Sequence, residues 1–261
     1  MDYIKTNKKL WNDKTEIHFK SKFYDVDSFI AGKNSLNPIE LKLLGNIKGK
    51  SILHLQCHFG MDTISLSRLG ANVTGVDFSD NSIEKAKELA ERTNTKTNFI
   101  LSNIYELEAN LNSEFDIVFT SYGAIGWLPD INKWAKIINR FLKPEGKFVM
   151  VEFHPFLWMF NDDFSKIEYD YFNSGAIVEE IKGTYADRDA PLINESVSWN
   201  HALSEVIGAL ISNGLRIELF DEYDYSPYDC FYNTVEFETG KYQIRGLEKK
   251  FPMLYSIKAV K

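Results

Sequence analysis

The sequence predicts an α/β fold built around a mainly parallel sheet. Two patterns carry that expectation. From residue 51 to residue 152, short apolar strand-like runs alternate with helical periodicities, the order that lays strands side by side with helices crossing over them. Residues 51–77 also contain strand, tight turn, helix, second strand and terminal acid in succession, the layout of a nucleotide-binding βαβ unit.

Each element follows from local pattern. Residues 1–50 read as mostly helical, with Trp11, Phe19, Phe23 and Tyr24 at uneven spacing. Ile39, Leu41, Leu43 and Leu44 follow Pro38, and Gly45 and Gly49 then break the chain. Ile52, Leu53 and Leu55 form the first strand. A turn containing Gly60 leads into a short helix that stops at Gly70, and the second strand ends on Asp77. Ser79 and Asp80 open the next helix; Asn81-x-x-Glu84 matches a capping box, and Ile83, Ala86, Leu89 and Ala90 make one apolar stripe. Residues 97–101 and 115–121 are the third and fourth strands. Ile131, Trp134, Ile138 and Phe141 mark an amphipathic helix, residues 142–146 a turn, and residues 147–152 the fifth strand.

The last third of the chain differs. Residues 155–198 are rich in aromatics and acids, among them Phe156, Trp158, Phe160 and Tyr185. Asn173-Ser-Gly175 predicts a hairpin that pairs 167–172 with 176–185. Leu203, Val206, Ile207, Leu210 and Ile211 mark a helix ending at Gly214. Residues 215–220 are a sixth strand and 253–260 a seventh, joined through a Tyr-rich loop at 223–242. With no helix between them, the last two strands are expected to pair antiparallel.

Composition bounds the function. A chain of 261 residues with 44% hydrophobic and 26% charged residues fits one packed domain with insertions. A net charge of −7 disfavours binding to a nucleic-acid backbone. No run approaches the roughly 18 apolar residues of a membrane span, and the first residues lack an apolar signal core. These readings imply a cytoplasmic protein with neither nucleic acid nor membrane as partner. Cys57 and Cys230 lie far apart and show no metal-ligand spacing; no metal is expected.

The turn narrows the ligand. A dinucleotide cradle shows three glycines because pyrophosphate packs on bare backbone, whereas this turn holds Gln56, Cys57, His58 and Phe59 before its one glycine, Gly60. A ligand with ribose and adenine but no phosphate fits better. Residues 53–60, Leu-His-Leu-Gln-Cys-His-Phe-Gly, resemble the first motif of class I S-adenosylmethionine (SAM)-dependent methyltransferases, in the wording of a bacterial small-molecule subgroup. His54 stands where that family usually has an acid, and Gln56 and His58 stand at its first two glycine positions.

The resemblance covers residues 40–154 by motif and 197–261 by pattern. It implies a Rossmann-like seven-stranded sheet, order 3-2-1-4-5-7-6 with strand 7 antiparallel and helices on both faces. The chain is expected to divide into an N-terminal helical cover (1–48), a SAM-binding core (49–154), an aromatic insert (155–198), placed on the substrate side because it leaves the carboxyl edge of the fifth strand, and a C-terminal part completing the core (199–261). The resemblance implies that Gly60 keeps a side chain off the ligand and that Asp77 pairs the ribose hydroxyls with Phe78 against the adenine. Asn103 and Ile104 would meet the adenine edge, and Ser121 the methionine amine. Gln56, Cys57 and His58 would line the turn, and Tyr24 would close over it.

For the chemistry, Tyr122 ends the fourth strand, His154 leaves the fifth and His201 precedes a helix. These three are the catalytic candidates, with Glu152 a further acid–base group. The expected activity is methyl transfer from SAM to a small-molecule acceptor. A non-catalytic SAM-binding or regulatory module on the same fold and an NAD-dependent oxidoreductase stand as alternatives. The aromatic insert reads either as a substrate wall or as the surface of a homodimer.

Overall fold

A computed structural model describes residues 2–261. The N-terminal segment forms α1 (Tyr3–Lys20), α2 (Val26–Ile30) and α3 (Pro38–Leu44). The core then runs β1 (Ser51–Leu55), α4 (Met61–Arg68), β2 (Asn72–Asp77), α5 (Asp80–Arg92), β3 (Asn98–Leu101), α6 (Leu107–Asn110), β4 (Phe115–Ser121), α7 (Ile131–Phe141) and β5 (Leu142–Phe153). Beyond it lie β6 (Ile177–Lys182), β7 (Ile193–Ser198), α8 (Leu203–Ser212), β8 (Arg216–Tyr223), β9 (Thr234–Glu238), β10 (Lys241–Ile244) and β11 (Leu254–Val260).

Seven strands make one sheet in the order β3-β2-β1-β4-β5-β11-β8. β11 runs antiparallel to both β5 and β8, and the other neighbours are parallel. The expected topology is thus borne out, with β8 and β11 as the sixth and seventh strands. Period-2 alternation splits the core. Leu53, Val118 and Phe148 face Trp134, Phe141 and Leu210 of α7 and α8. Ile52, Ile117 and Val149 face the side of Leu44 in α3 and Leu66 in α4. α7 shows why the chain obeys: Asp130 caps it by accepting from Lys133 N at 2.8 Å, and Ile131, Trp134, Ile138 and Phe141 bury one stripe.

Four local expectations are corrected. The hairpin of the insert pairs β6 with β7, Ile177 opposite Ser198, not 167–172 with 176–185; Ile167 instead bridges Phe160. Asn173-Ser-Gly175 is a turn ahead of β6, and the hairpin reverses further on, where Gly183 takes a left-handed φ of 64°. The Tyr-rich loop contains a second ribbon, β9 with β10. α5 is capped by Ser79, whose Oγ accepts from Ser82 N at 3.1 Å, two residues earlier than the capping-box pattern suggested. The 142–146 turn survives as a slip of register inside β5, between the pairs Phe115–Leu142 and Ile117–Lys147.

Register prepares the site. Leu55 of β1 pairs with Val76 of β2 and Thr120 of β4, and Asp77 pairs with Leu101 of β3. The next residues, Gln56, Asp77 and Ser121, therefore emerge in a row along the carboxyl edge. Between β1 and β4 the strand order reverses, the crevice in which open α/β sheets bind ligands.

Candidate active site

A cavity of about 1140 Å³ opens at that edge. Small-molecule pockets run roughly 300–1,000 Å³, so this one has room for two ligands side by side. The turn after β1, the β2 end, the β4 end, α1, the insert and the 227–240 segment all contribute walls.

The turn keeps glycine geometry without the glycines. Gln56 and His58 adopt φ of 55° and 51°, left-handed values that strain any residue with a Cβ. Side-chain bonds hold them there. Gln56 Nε2 donates to Ala124 O at 2.7 Å, tying the turn to the segment after β4, while its Oε1 is buried without a partner. His58 is hydrogen-bonded to Ser82 Oγ and to His18 Nδ1, both at 3.0 Å. Burial, with the Lys14 cation nearby, pulls its pKa down to about 3, so the imidazole is neutral. The buried Cys57 thiol is pushed well up by burial first and the Asp77 carboxylate second, and stays protonated.

Gly60 lines the cavity, but the reason for its being glycine is different from the one expected. A Cβ there would lie 2.7 Å from the Phe99 ring and 3.0 Å from the Ala86 Cβ. The absent side chain lets the turn and α5 pack against β3, and φ of 80° adds a second reason.

Asp77 is buried and accepts backbone N–H bonds from His58 at 2.8 Å and Ser79 at 2.9 Å. Burial raises its carboxyl to about 6 against the pull of those bonds. Asp77, Phe78, Tyr24 and Ser121 all line the cavity. Asn103 and Ile104 do not. Asn103 Oδ1 turns back to cap Tyr105 N at 3.0 Å, and Ile104 is buried in the core with Leu107.

Under the β4 end runs a polar chain. Ser121 Oγ donates to Asp62 Oδ2 at 3.2 Å, and Asp62 Oδ1 accepts from Ser35 Oγ at 2.6 Å. With the Ser121 hydrogen so directed, His54 Nε2 donates to Ser121 Oγ and His54 Nδ1 accepts from Thr63. His54 is thus a neutral core histidine, its pKa lowered by burial to about 3.

Tyr122 donates to Oε2 of Glu40 at 2.8 Å. Glu40 is fully buried, and burial first, with Asp62 adding to it, raises its carboxyl to about 7. Sequence reasoning missed Glu40 because it also completes the capping box of α3 with Asn37, a sufficient local role. His154 is taken out of the site: it does not line the cavity, its Nε2 meets Glu222 at 3.0 Å and its Nδ1 accepts from Phe156 N. His201 does line it, with Nε2 donating to Leu128 O at 2.7 Å and Nδ1 3.1 Å from Glu205. Glu152 is a structural anion, accepting backbone N–H bonds from Gly123, Ala124, Ile125 and Phe153. It shapes the rim rather than exchanging protons.

α1 forms a further wall. Asn12 and Thr15 bond Ser79 and Ser82 at the start of α5, and Asn7 exchanges two hydrogen bonds with Val197 of β7. Tyr24 Oη meets Tyr185 Oη at 2.6 Å, joining the N-terminal segment to the insert. Asn7, Trp11, Lys14 and His18 share one helix face by their spacing of three and four.

Residues 52–146 match a family model described as a methyltransferase domain. That stretch, about a third of the chain, is similar to a methyltransferase domain. An enzyme named ubiquinone biosynthesis O-methyltransferase from Coxiella burnetii is 33% identical over 115 residues, 43% of this chain and 48% of that one. Its namesake from Bordetella avium is 25% identical over 130 residues, covering 48% and 54%. The chain spans about half the length of the curated relatives it matches. Among solved structures, a SAM-dependent methyltransferase from Mesorhizobium loti aligns with a TM-score of 0.57 at 18% identity, over 89% of this chain and 100% of that one. Another, from Clostridium acetobutylicum, gives 0.58 at 16%, over 96% and 98%. These last two likenesses are of fold, and they cover more of the chain than residues 52–146. No helix among the described residues is long and apolar enough to cross a membrane.

Proposed function

We propose that the protein is a SAM-dependent methyltransferase acting on a small-molecule acceptor. The observation that carries the reading is Asp77, a buried carboxylate at the β2 end, on the wall of a cavity seated at the switch point of a methyltransferase domain. SAM fits the residues present. Asp77 has lone pairs left for ribose hydroxyls, Phe78 offers a ring face, and the partnerless Gln56 Oε1 is an acceptor for an ammonium donor. When bound, the cofactor supplies a sulfonium-activated methyl group for the acceptor's nucleophile to displace.

The chain's work is alignment and exclusion of water. α1, Tyr24, the insert, Tyr228 and Phe231 all wall the cavity. Where the nucleophile carries a proton, Tyr122 takes it while passing its own to Glu40, whose carboxyl near 7 suits that exchange. The aromatic lining favours an apolar or planar acceptor.

The test has two stages. SAM and S-adenosylhomocysteine should raise the thermal midpoint and NAD should not; the reverse order would favour an oxidoreductase. Incubation with labelled SAM and a panel of small phenols, amines and thiols should then transfer label. Binding without transfer to any acceptor class, and none in a cell-metabolite extract, would favour a regulatory SAM-binding module.

A second expectation concerns the cover. Adding S-adenosylhomocysteine should slow amide hydrogen exchange across residues 10–35, because His18 and Tyr24 pack on the turn that takes the ligand. Unchanged exchange there would reduce the segment to ordinary packing.

A further inference from the structure

We propose that Lys14 is a carboxylate-binding residue of the cavity, its ammonium held against two indole rings for a ligand that brings a carboxylate to it. Lys14 is 4% exposed and lines the cavity. Its Nζ lies 5.2 Å from the Trp11 ring centre and 5.7 Å from that of Trp127. Among the described residues it has neither a hydrogen bond nor an ion pair. Burial lowers its pKa only to about 8, so it is a cation at neutral pH.

A buried cation without an anion is costly. The indole faces offset part of that cost, and no protein carboxylate supplies the rest. Asp77 is turned to the His58 and Ser79 amides, Asp62 to Ser35 and Ser121, and Glu152 to the rim amides. The Lys14 charge is felt by His18 on α1 and His58 on the turn, whose pKa values are depressed and which bring no negative charge. The other cations of the wall are otherwise engaged or solvated: Lys33 pairs with Asp25, Arg188 bonds Phe231 O, and Lys182 is exposed.

The ligand charge is therefore negative, and one ammonium with neutral surroundings suits a monoanion. A phosphate dianion would need a richer set of donors. A carboxylate in the slot has two sources, the amino-acid end of an S-adenosyl cofactor or a carboxylic acceptor. The first source rests on the function proposed above; the contact itself does not.

Lys14→Met keeps the stem beside the indoles and removes the charge. Calorimetry on this variant and the wild type would use three probes: S-adenosylhomocysteine, 5′-methylthioadenosine, which lacks the amino-acid end, and a set of aromatic carboxylates paired with their carboxamides. If the cofactor brings the carboxylate, the variant loses tenfold or more in affinity for S-adenosylhomocysteine and stays within twofold for methylthioadenosine. If the acceptor brings it, both nucleosides bind unchanged and the preference for carboxylate over carboxamide falls tenfold. Equal losses for the two nucleosides, or no change with any probe, would overturn the proposal. A protein that binds neither nucleoside defeats the methyltransferase reading, while the carboxylate pairs still report on Lys14. Should the variant fail to fold, lysine Cε resonances of the wild type decide: the Lys14 pKa must rise with the bound carboxylate, and an unmoved titration overturns the contact.

Discussion

Replacing Asp77 with alanine is expected to weaken SAM and S-adenosylhomocysteine binding by ten- to about a hundredfold. The carboxylate is the one acid at the β2 end that lines the cavity, and losing an ionised acceptor from paired hydroxyls costs about 1.5–3 kcal/mol. The same change strips an acceptor from the His58 and Ser79 amides, so the turn itself loosens. The pH dependence follows from the carboxyl near 6. Its pKa is raised in the free protein, so the acceptor is mostly ionised at pH 7 and becomes protonated as pH falls through 6. Wild-type affinity should therefore decline from pH 7 to pH 5, whereas the alanine variant should show a flatter profile over that window. Calorimetry at the three pH values reads both. An alanine variant with wild-type affinity would remove Asp77 from the ligand.

Glu152→Ala should be the most destabilising of the substitutions at the rim, by about 3 kcal/mol or more. Four backbone N–H groups converge on this buried carboxylate, and each donor left without a partner costs about 1–3 kcal/mol less whatever water regains. Glu152→Gln should recover part of the loss, since one oxygen remains an acceptor while the amide nitrogen faces donors. Urea unfolding measures the order alanine, glutamine, wild type. Equal stability of all three would show that the 123–125 segment holds its shape unaided.

The sheet was legible in the sequence because its strands are buried on both faces and read as apolar runs such as 52–55, 115–121 and 147–152. β7, β9 and β10 were not, and β6, expected within 176–185, was given the wrong partner. They belong to two-stranded ribbons with much exposed surface, where Glu, Lys and Ser interrupt the apolar alternation. Asp77 was visible as a site candidate because it ends a strand, and the cavity wall agrees. The reason for Gly60 was misjudged because Phe99 lies far along the chain. Sequence order also hid the partners of His154, since Glu222 reaches it only through the antiparallel C-terminal strands. Lys14 escaped notice because a lysine in a helix rich in lysine reads as solvent-facing. The signal available was its spacing from Trp11 and His18, which puts a charge among aromatics on one face.

The antiparallel strand β11 has a consequence for the order of synthesis. It sits between β5 and β8, pairing Leu254 with Phe153 on one side and Tyr223 on the other. Until residues 254–260 have left the ribosome, β5 keeps a bare edge of apolar residues and β8 has no neighbour. Closing that gap joins segments about a hundred residues apart, a late and slow event on the loop-closure scale. The nascent chain therefore carries a nearly complete parallel half-sheet with an open seam, a surface prone to pairing with other chains. That exposure is built into the topology, and it ends with the arrival of a single strand.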